Sequence, residues 1–206
     1  MTDQDRVLQE LNVSRETSDK LRCYATLLEK WNPKINLVSR ASLSEMWTRH
    51  MLDSAQMFAL SGESGHWVDL GSGGGFPGLV VACIASEKSP ATLFTLIESD
   101  QRKSAFLRTV IRETGVNATV LTERVESAAK QNANTLSARA LADLDQLLEY
   151  TERHLAESGT ALFPKGQTWE KEVETARSRW SFECEAIKSI TESGAVILKI
   201  KGALRV

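Results

Sequence analysis

Cysteine is scarce in this chain, and the three present (Cys23, Cys83 and Cys184) lie far apart with no CxxC pair. That spacing excludes a disulfide framework and offers no zinc-site pattern, so each is expected to be a small core side chain. The three histidines, His50, His66 and His154, are also scattered, and no metal site is expected. No apolar run approaches the roughly 20 residues that a membrane helix needs. The start, Met1-Thr2-Asp3-Gln4-Asp5, is acidic and polar, the opposite of a secretory leader. A cytoplasmic protein with no membrane association is therefore expected. An excess of base is missing as well, since Lys+Arg 25 against Asp+Glu 27 leave a net charge of −2. Alone, that balance argues against a nucleic-acid binder. Phosphate binding depends on local clustering, however, which a total does not exclude.

The 206 residues, 42% hydrophobic and 25% charged, suffice for one full-sized soluble domain with a short appendage. Residues 1–62 read as a helical extension packed on a main domain of residues 63–206. From Ser14, a good N-cap, Leu21, Tyr24, Leu28 and Trp31 recur at the spacing of one helix face, and Pro33 is expected to stop that helix. Ser42-Leu43-Ser44-Glu45 has the pattern of a capping box, opening a second helix through Met46, Trp47, Met51 and Phe58 to a Gly62–Gly65 turn. Trp31 and Trp47 fall on apolar faces and are read as core.

After His66 the pattern changes. Strand candidates are 66–70, 92–97, 118–121, 135–138, 159–163 and 195–200, with 182–190 a weaker one. A helix reading from Pro77 to Ala85 and another with a basic face (Arg102, Lys103, Arg108, Arg112) fall between the first of them. Alternating strands and helices predict an α/β fold, a Rossmann-like and mostly parallel sheet. Glu192-Ser193-Gly194 between the last two strands allows a hairpin, hence an antiparallel C-terminal strand. That is the plan of class I S-adenosylmethionine-dependent methyltransferases.

The densest motif is Asp69-Leu70-Gly71-Ser72-Gly73-Gly74-Gly75-Phe76-Pro77-Gly78, five glycines between a strand and a helix. Such a loop lets a ligand approach backbone N–H groups, and Gly71, Gly73, Gly75 and Phe76 become cofactor-contact candidates. The stretch from Gly73 also satisfies G-x-G-x-x-G, which alone is a weak dinucleotide signal. Asp69, at the end of the first strand, suits a ligand with a cationic amino-acid end, such as S-adenosylmethionine, and repels a pyrophosphate. Glu98, at the end of the second strand, is placed to accept from ribose hydroxyls in either kind of cofactor.

The acceptor is narrowed by what is missing. The Asn/Asp-Pro-Pro-aromatic motif of exocyclic-amine methylation is absent, and the corresponding region reads Leu136-Ser137-Ala138-Arg139-Ala140-Leu141-Ala142. No cysteine lies where a pyrimidine C5 mechanism would need a nucleophile. A ring nitrogen such as guanine N7 has an in-plane lone pair and no proton, so positioning and electrostatics suffice.

Trp31-Asn32 with Asn36-Leu37, Arg49-His50 with Asp53-Ser54, the segment Asp69–Gly78, Glu98, Arg124-Val125-Glu126, Arg139-Ala140 and Lys165-Gly166 form an ordered set. In that order, from about residue 24 to 201, the chain resembles the ribosomal RNA small-subunit methyltransferase G family, also called glucose-inhibited division protein B. The resemblance implies N7 methylation of one guanosine in a 16S rRNA loop near the decoding centre. It implies S-adenosyl-L-methionine as cofactor and the small ribosomal subunit, or an assembly intermediate of it, as partner. It also implies that Gly71 and Phe76 line the cofactor, that Val125 and Glu126 lie against its adenine, and that Arg139 sits at the mouth shared with the acceptor. Glu98 stands where the family often has Asp, and Leu141 where an aromatic is common.

The remaining candidates have local alternatives. Arg49 and Asp53 can pair at i,i+4, and His50 shares a face with Asp53; a salt bridge fixing the N-terminal helices competes with RNA contact. Arg139 follows a strand at the expected ligand crevice and is the residue assigned to catalysis. Lys165 follows another strand and is a candidate for phosphate. Arg102, Lys103, Arg108, Arg112, Lys199, Lys201 and Arg205 are read as an RNA-binding rim, with a solvated face as the alternative. A small-molecule or protein methyltransferase, a ribosome-associated binding protein and a nicotinamide oxidoreductase are the competing functions. No obligate protein partner is expected, and the chain is read as a monomer.

Overall fold

The computed structural model describes residues 2–62 and 65–206. The Gly62–Gly65 turn and the boundary at residues 62 and 63 therefore lie partly outside the described residues.

α1 (Asp3–Leu11) opens with a reciprocal cap between Thr2 and Asp5, and α2 (Arg15–Ile35) with the Ser14 side chain accepting from the Thr17 N–H. Pro33 does not stop α2. It sits in the last turn, where one missing N–H removes little, and the helix ends at Asn36 in the left-handed conformation (φ 51°). The Asn32 side-chain oxygen then accepts from the N–H groups of Leu37 and Val38 and turns the chain.

The second helix expected from sequence is broken into pieces. α3 (Arg40–Leu43) is capped by Ser39 rather than Ser42, a π-helix spans Trp47–Leu52, α4 is Asp53–Ala55, and a 3-10 turn covers Phe58–Leu60. The π turn keeps Trp47, Met51 and Leu52 buried while Arg49 and His50 reach a cleft. Such turns are rare and cluster at functional sites.

The rest alternates as predicted: β1 (His66–Leu70), α5 (Gly78–Lys88), β2 (Leu93–Ile97), α6 (Gln101–Thr114), β3 (Ala118–Leu121), β4 (Ala133–Ala138), α7 (Leu144–His154), β5 (Leu155–Lys165), α8 (Trp169–Ala176), β6 (Trp180–Lys188) and β7 (Val196–Arg205). The sheet order is β3-β2-β1-β4-β5-β7-β6, and β7 is antiparallel to both of its neighbours. The chain steps outward from β1 on one side and from β4 on the other. That reversal opens a crevice beyond the C-terminal ends of β1 and β4.

Residue alternation along β1 divides the core. Trp67 joins the layer built with α2, α5 and α6, while Val68 and Leu70 join the opposite layer with α7. α5 is buried from Gly78 to Ala85, between the sheet and the N-terminal helices. Trp47 is buried, and Trp31 packs its ring 5.8 Å from Phe106. Cys83 is buried, whereas Cys23 and Cys184 are only partly so.

Candidate active site

A cleft of about 1260 Å³ opens at the crevice. One wall is the glycine loop after β1, with Gly71, Ser72, Gly73, Gly74 and Phe76, and beside it lies the end of β4 with Ala138 and Arg139. The opposing wall comes from the N-terminal helices. Gly71, Gly73 and Gly75 have φ of 60°, 55° and 95°, which L side chains rarely adopt. Tyr24 holds the loop from below. Its hydroxyl donates to the Gly74 carbonyl, and its ring stacks 5.3 Å from Phe76.

Asp69 is not on the cleft wall. It shares the Trp67 face of β1 and is fully buried below the loop, against Gly78, where an added Cβ would come within 2.9 Å of Oδ2. Its Oδ1 accepts from Ser137 Oγ at 2.6 Å, and that oxygen in turn accepts from Trp67 Nε1 at 2.8 Å. Oδ2 accepts no hydrogen bond. Burial pushes the carboxyl up to about 6, against the opposing pull of the Ser137 bond.

Glu98 is buried and spans the loop junction, accepting at 2.8 Å from the N–H of Gly73 and from that of Asp100. A carboxylate has about four acceptor sites, so capacity for further donors remains. Val125 is buried in the segment after β3, and the neighbouring Glu126 is exposed and accepts from the Tyr150 hydroxyl.

Arg139 joins three parts of the molecule. Its guanidinium lies 5.0 Å from the Phe76 ring centroid, donates from Nη1 to Asp53 Oδ2 and the Arg49 carbonyl (3.2 Å each), and reaches His50 Nδ1 at 2.9 Å. Asp53 also accepts from Thr191 Oγ1 at 2.7 Å, which ties the β6–β7 connection to the same centre. The local pair expected between Arg49 and Asp53 does not form, because Arg139 takes Asp53 and Arg49 turns to Glu45 at 3.6 Å.

Because arginine has no acceptor, His50 Nδ1 must accept and the proton must reside on Nε2, which is buried without a partner. Burial, with the charges of Arg139 and Arg49, lowers His50 from 6.5 to about 4. A lowered base contributes stability that is present above pH 6.5 and is lost as pH falls through about 4. Asp69 has the opposite sign, its contribution being present below 3.8 and lost as pH rises through about 6. His50→Gln keeps an acceptor for Arg139 and removes the imidazole. Its urea midpoint should therefore fall less between pH 6.5 and 4 than that of the wild type; parallel curves would reject this assignment.

The other basic candidates separate. Lys165 is 9% exposed at its side chain and is committed to Glu172 (2.7 Å) and the Ala142 carbonyl (3.0 Å), which braces the segment after β4. Lys103 lines the cleft, whereas its neighbour Arg102 points out beside Asp100. Lys199 and Lys201 lie within β7 in register with Glu185 and Glu183, and do not line the cleft. Arg108 caps the end of β3 through Val120 and Thr122, Arg112 pairs with Glu113, and Arg205 pairs with Glu149. Of the seven residues read as a basic rim, Lys103 is the one that lines the cleft. Lys103 belongs to the basic set read from sequence and Asp53 to the cluster with Arg49 and His50, whereas Tyr24 and Thr191 were not singled out as site residues. Only Tyr24 left a signal, as a hydroxyl on a buried helix face that needs a partner.

The strand order, the antiparallel β7 and the glycine loop facing an acid just past the end of β2 define the class I S-adenosylmethionine-dependent methyltransferase fold. A methyltransferase from Geobacter sulfurreducens superimposes with a TM-score of 0.59 at 13% identity, over 87% of this chain and 88% of that one. M. jannaschii TYW2, solved in complex with AdoMet, gives 0.56 at 16% identity over 84% and 80%.

Sequence comparison is more specific. Residues 17–200 match the family model GidB, rRNA small subunit methyltransferase G. Proteins named ribosomal RNA small subunit methyltransferase G are 62% identical in Ruegeria sp. (strain TM1040), over 96% of each chain, and 55% identical in Ruegeria pomeroyi, over 95% of this chain and 96% of the relative. The chain belongs to the rRNA small subunit methyltransferase G family.

Proposed function

We propose that this protein transfers the methyl group of S-adenosylmethionine to N7 of a guanosine in the small-subunit ribosomal RNA, by positioning and without a covalent intermediate. The carrying observation is the juxtaposition, on one cleft wall, of the left-handed glycine loop and the Arg139 guanidinium, with no cysteine among the described lining residues. His50 is the imidazole in that lining, and its Nδ1 is already committed to Arg139. Ring-nitrogen methylation requires neither a nucleophile nor a general base.

The residues present fit the cofactor. Gly73 leaves its backbone open, with only the Gly71 carbonyl within 4 Å of an added Cβ, and Phe76 offers ring surface in the cleft, while the Leu141 side chain already covers Gly71. Glu98 retains acceptor capacity for ribose hydroxyls, and Val125 with Glu126 offers the next position outward, for the adenine. Arg139 and Lys103 supply positive charge for a carboxylate end. Asp69 acts from beneath the loop, as a buried acceptor near the cationic end rather than as a contact. The sulfonium supplies an electrophilic methyl group. Arg139, braced by Asp53 and His50, holds the donor end and the entering base in line.

Residues 1–62 then form an extension that closes the cleft over the Rossmann-like domain of residues 63–206. Arg49 of that extension and Lys103 of α6 are the RNA-facing groups of the cleft, with His50 between them bracing Arg139; Lys165 serves by bracing the loop after β4, and Arg102 and Lys199 lie outside the cleft. No described helix is long and apolar enough to cross a membrane. A cytoplasmic monomer acting on the small subunit or its precursor completes the proposal.

Labelled methyl transfer to small-subunit particles lacking endogenous methylation tests it. Borohydride–aniline treatment should cleave the rRNA at one labelled guanosine. Label without cleavage would refute N7, and absence of label on naked rRNA and on every subunit form would refute the activity.

A further inference from the structure

The segment after β3 is gripped by one face of α7. Tyr150 Oη donates to Glu126 Oε1, Arg153 Nη2 donates to the Ala128 carbonyl at 2.8 Å, and His154 Nε2 donates to the Val125 carbonyl at 2.9 Å. Gln146, one turn earlier, donates from Nε2 to Tyr150 Oη at 2.8 Å. With that lone pair occupied, the single phenolic proton is directed at Glu126.

The charge states agree with this polarity. The Tyr150 bond holds the Glu126 carboxyl below the usual carboxylate range, and burial, reinforced by Glu126, pushes the Tyr150 phenol up to about 12. Tyr150 is 6% exposed, and both it and Glu126 lie outside the cleft lining; Glu126 faces solvent with acceptor capacity to spare. The segment begins beside Glu98, whose N–H donates to the Leu121 carbonyl at 3.1 Å. A base attached to a ribose held at Glu98 therefore meets this segment next.

We propose that Tyr150, backed by Gln146, is a positioning residue that aims the Glu126 carboxylate at the exocyclic amino group of the cofactor's adenine, so that α7 sets the preference for a 6-amino purine. This rests on the cofactor placement given under the proposed function. A 6-oxo purine presents an acceptor at that position, and a fixed carboxylate repels it. Freed of Tyr150, the carboxylate swings and discriminates less.

The test is calorimetric binding of S-adenosylhomocysteine and S-inosylhomocysteine to the full chain, with Tyr150→Phe and Glu126→Gln. Wild type should prefer the adenosine ligand, and each variant should reduce that preference by about five- to tenfold, the net scale of one ordinary hydrogen bond. For Tyr150→Phe, kcat at saturating cofactor should hold while KM rises. Equal weakening of both ligands, with the preference intact, would overturn the proposal and leave the base placement standing. No change in either affinity for either variant would overturn both. If Tyr150→Phe fails to fold, Glu126→Gln on the exposed face decides alone, an intact preference counting against the proposal.

Discussion

Arg139→Ala should lower kcat/KM for methyl transfer by about two to three orders of magnitude, the usual cost of removing a preorganised donor at a reacting centre. The effect is large because one side chain serves several partners at once: the Phe76 face, His50, Asp53 and the Arg49 carbonyl. The side chains of Arg139 and Asp53 are 17% and 19% exposed, so the bonds are shielded but not sealed. Asp53 retains Thr191 and Gln56 as donors, which limits the expected stability loss to about 2 kcal/mol. Arg139→Lys keeps the charge and loses the planar fork, so it should recover only part of the rate. Single-turnover assays with a parallel urea melt separate the two effects. A near-normal rate for Arg139→Ala would remove Arg139 from catalysis.

The largest expected stability effect belongs to Gly75→Ala. Gly75 has φ 95°, and an added Cβ would lie 2.6 Å from both the Tyr24 hydroxyl and Leu79 Cδ1, in a region where both residues are fully buried. Left-handed strain and overpacking, at about 1–3 kcal/mol each, sum to roughly 4 kcal/mol. For a chain of this size the melting temperature should drop on the order of 10 °C. Gly115→Ala is the control. It has φ 64° with no atom within 4 Å of the new Cβ, so it carries backbone strain alone, about 1 kcal/mol. Equal losses in the two variants, read by thermal melts, would show that the Tyr24 contact does not constrain the loop.

The sheet was legible because its strands are short apolar runs set between glycines, caps and helix-period segments. Ala118–Leu121 was read to the residue, and the hairpin at Glu192-Ser193-Gly194 followed from spacing alone. The loop at Gly71–Gly75 was legible for a similar reason, since residues needing positive φ announce themselves by type. Asp69 was half legible. Its position at the strand end was clear, but its burial beneath the loop, on the Trp67 face that α5 covers, was not read. The π turn had no counterpart in the sequence, because its residues keep an ordinary helical apolar spacing. Arg139 and Asp53 stand 86 positions apart, as do Gln56 and Ile190 at 134, and no local pattern encodes such pairs. The Lys165 ion pair escaped for the reverse reason: its partner Glu172 is near in sequence but lies across a strand end and a helix start.

A helix with no wet side has a further consequence. α5 is enclosed from Gly78 to Ala85, with the sheet beneath it and the N-terminal helices above. Trimming those helices to obtain a minimal catalytic module would lay bare the outer side of this wholly apolar stretch, the kind of surface that drives association. The module is therefore not portable. Grafting a new recognition element onto it requires replacing the lid helices with something equally greasy on its inner side, and recognition and solubility must be re-engineered together.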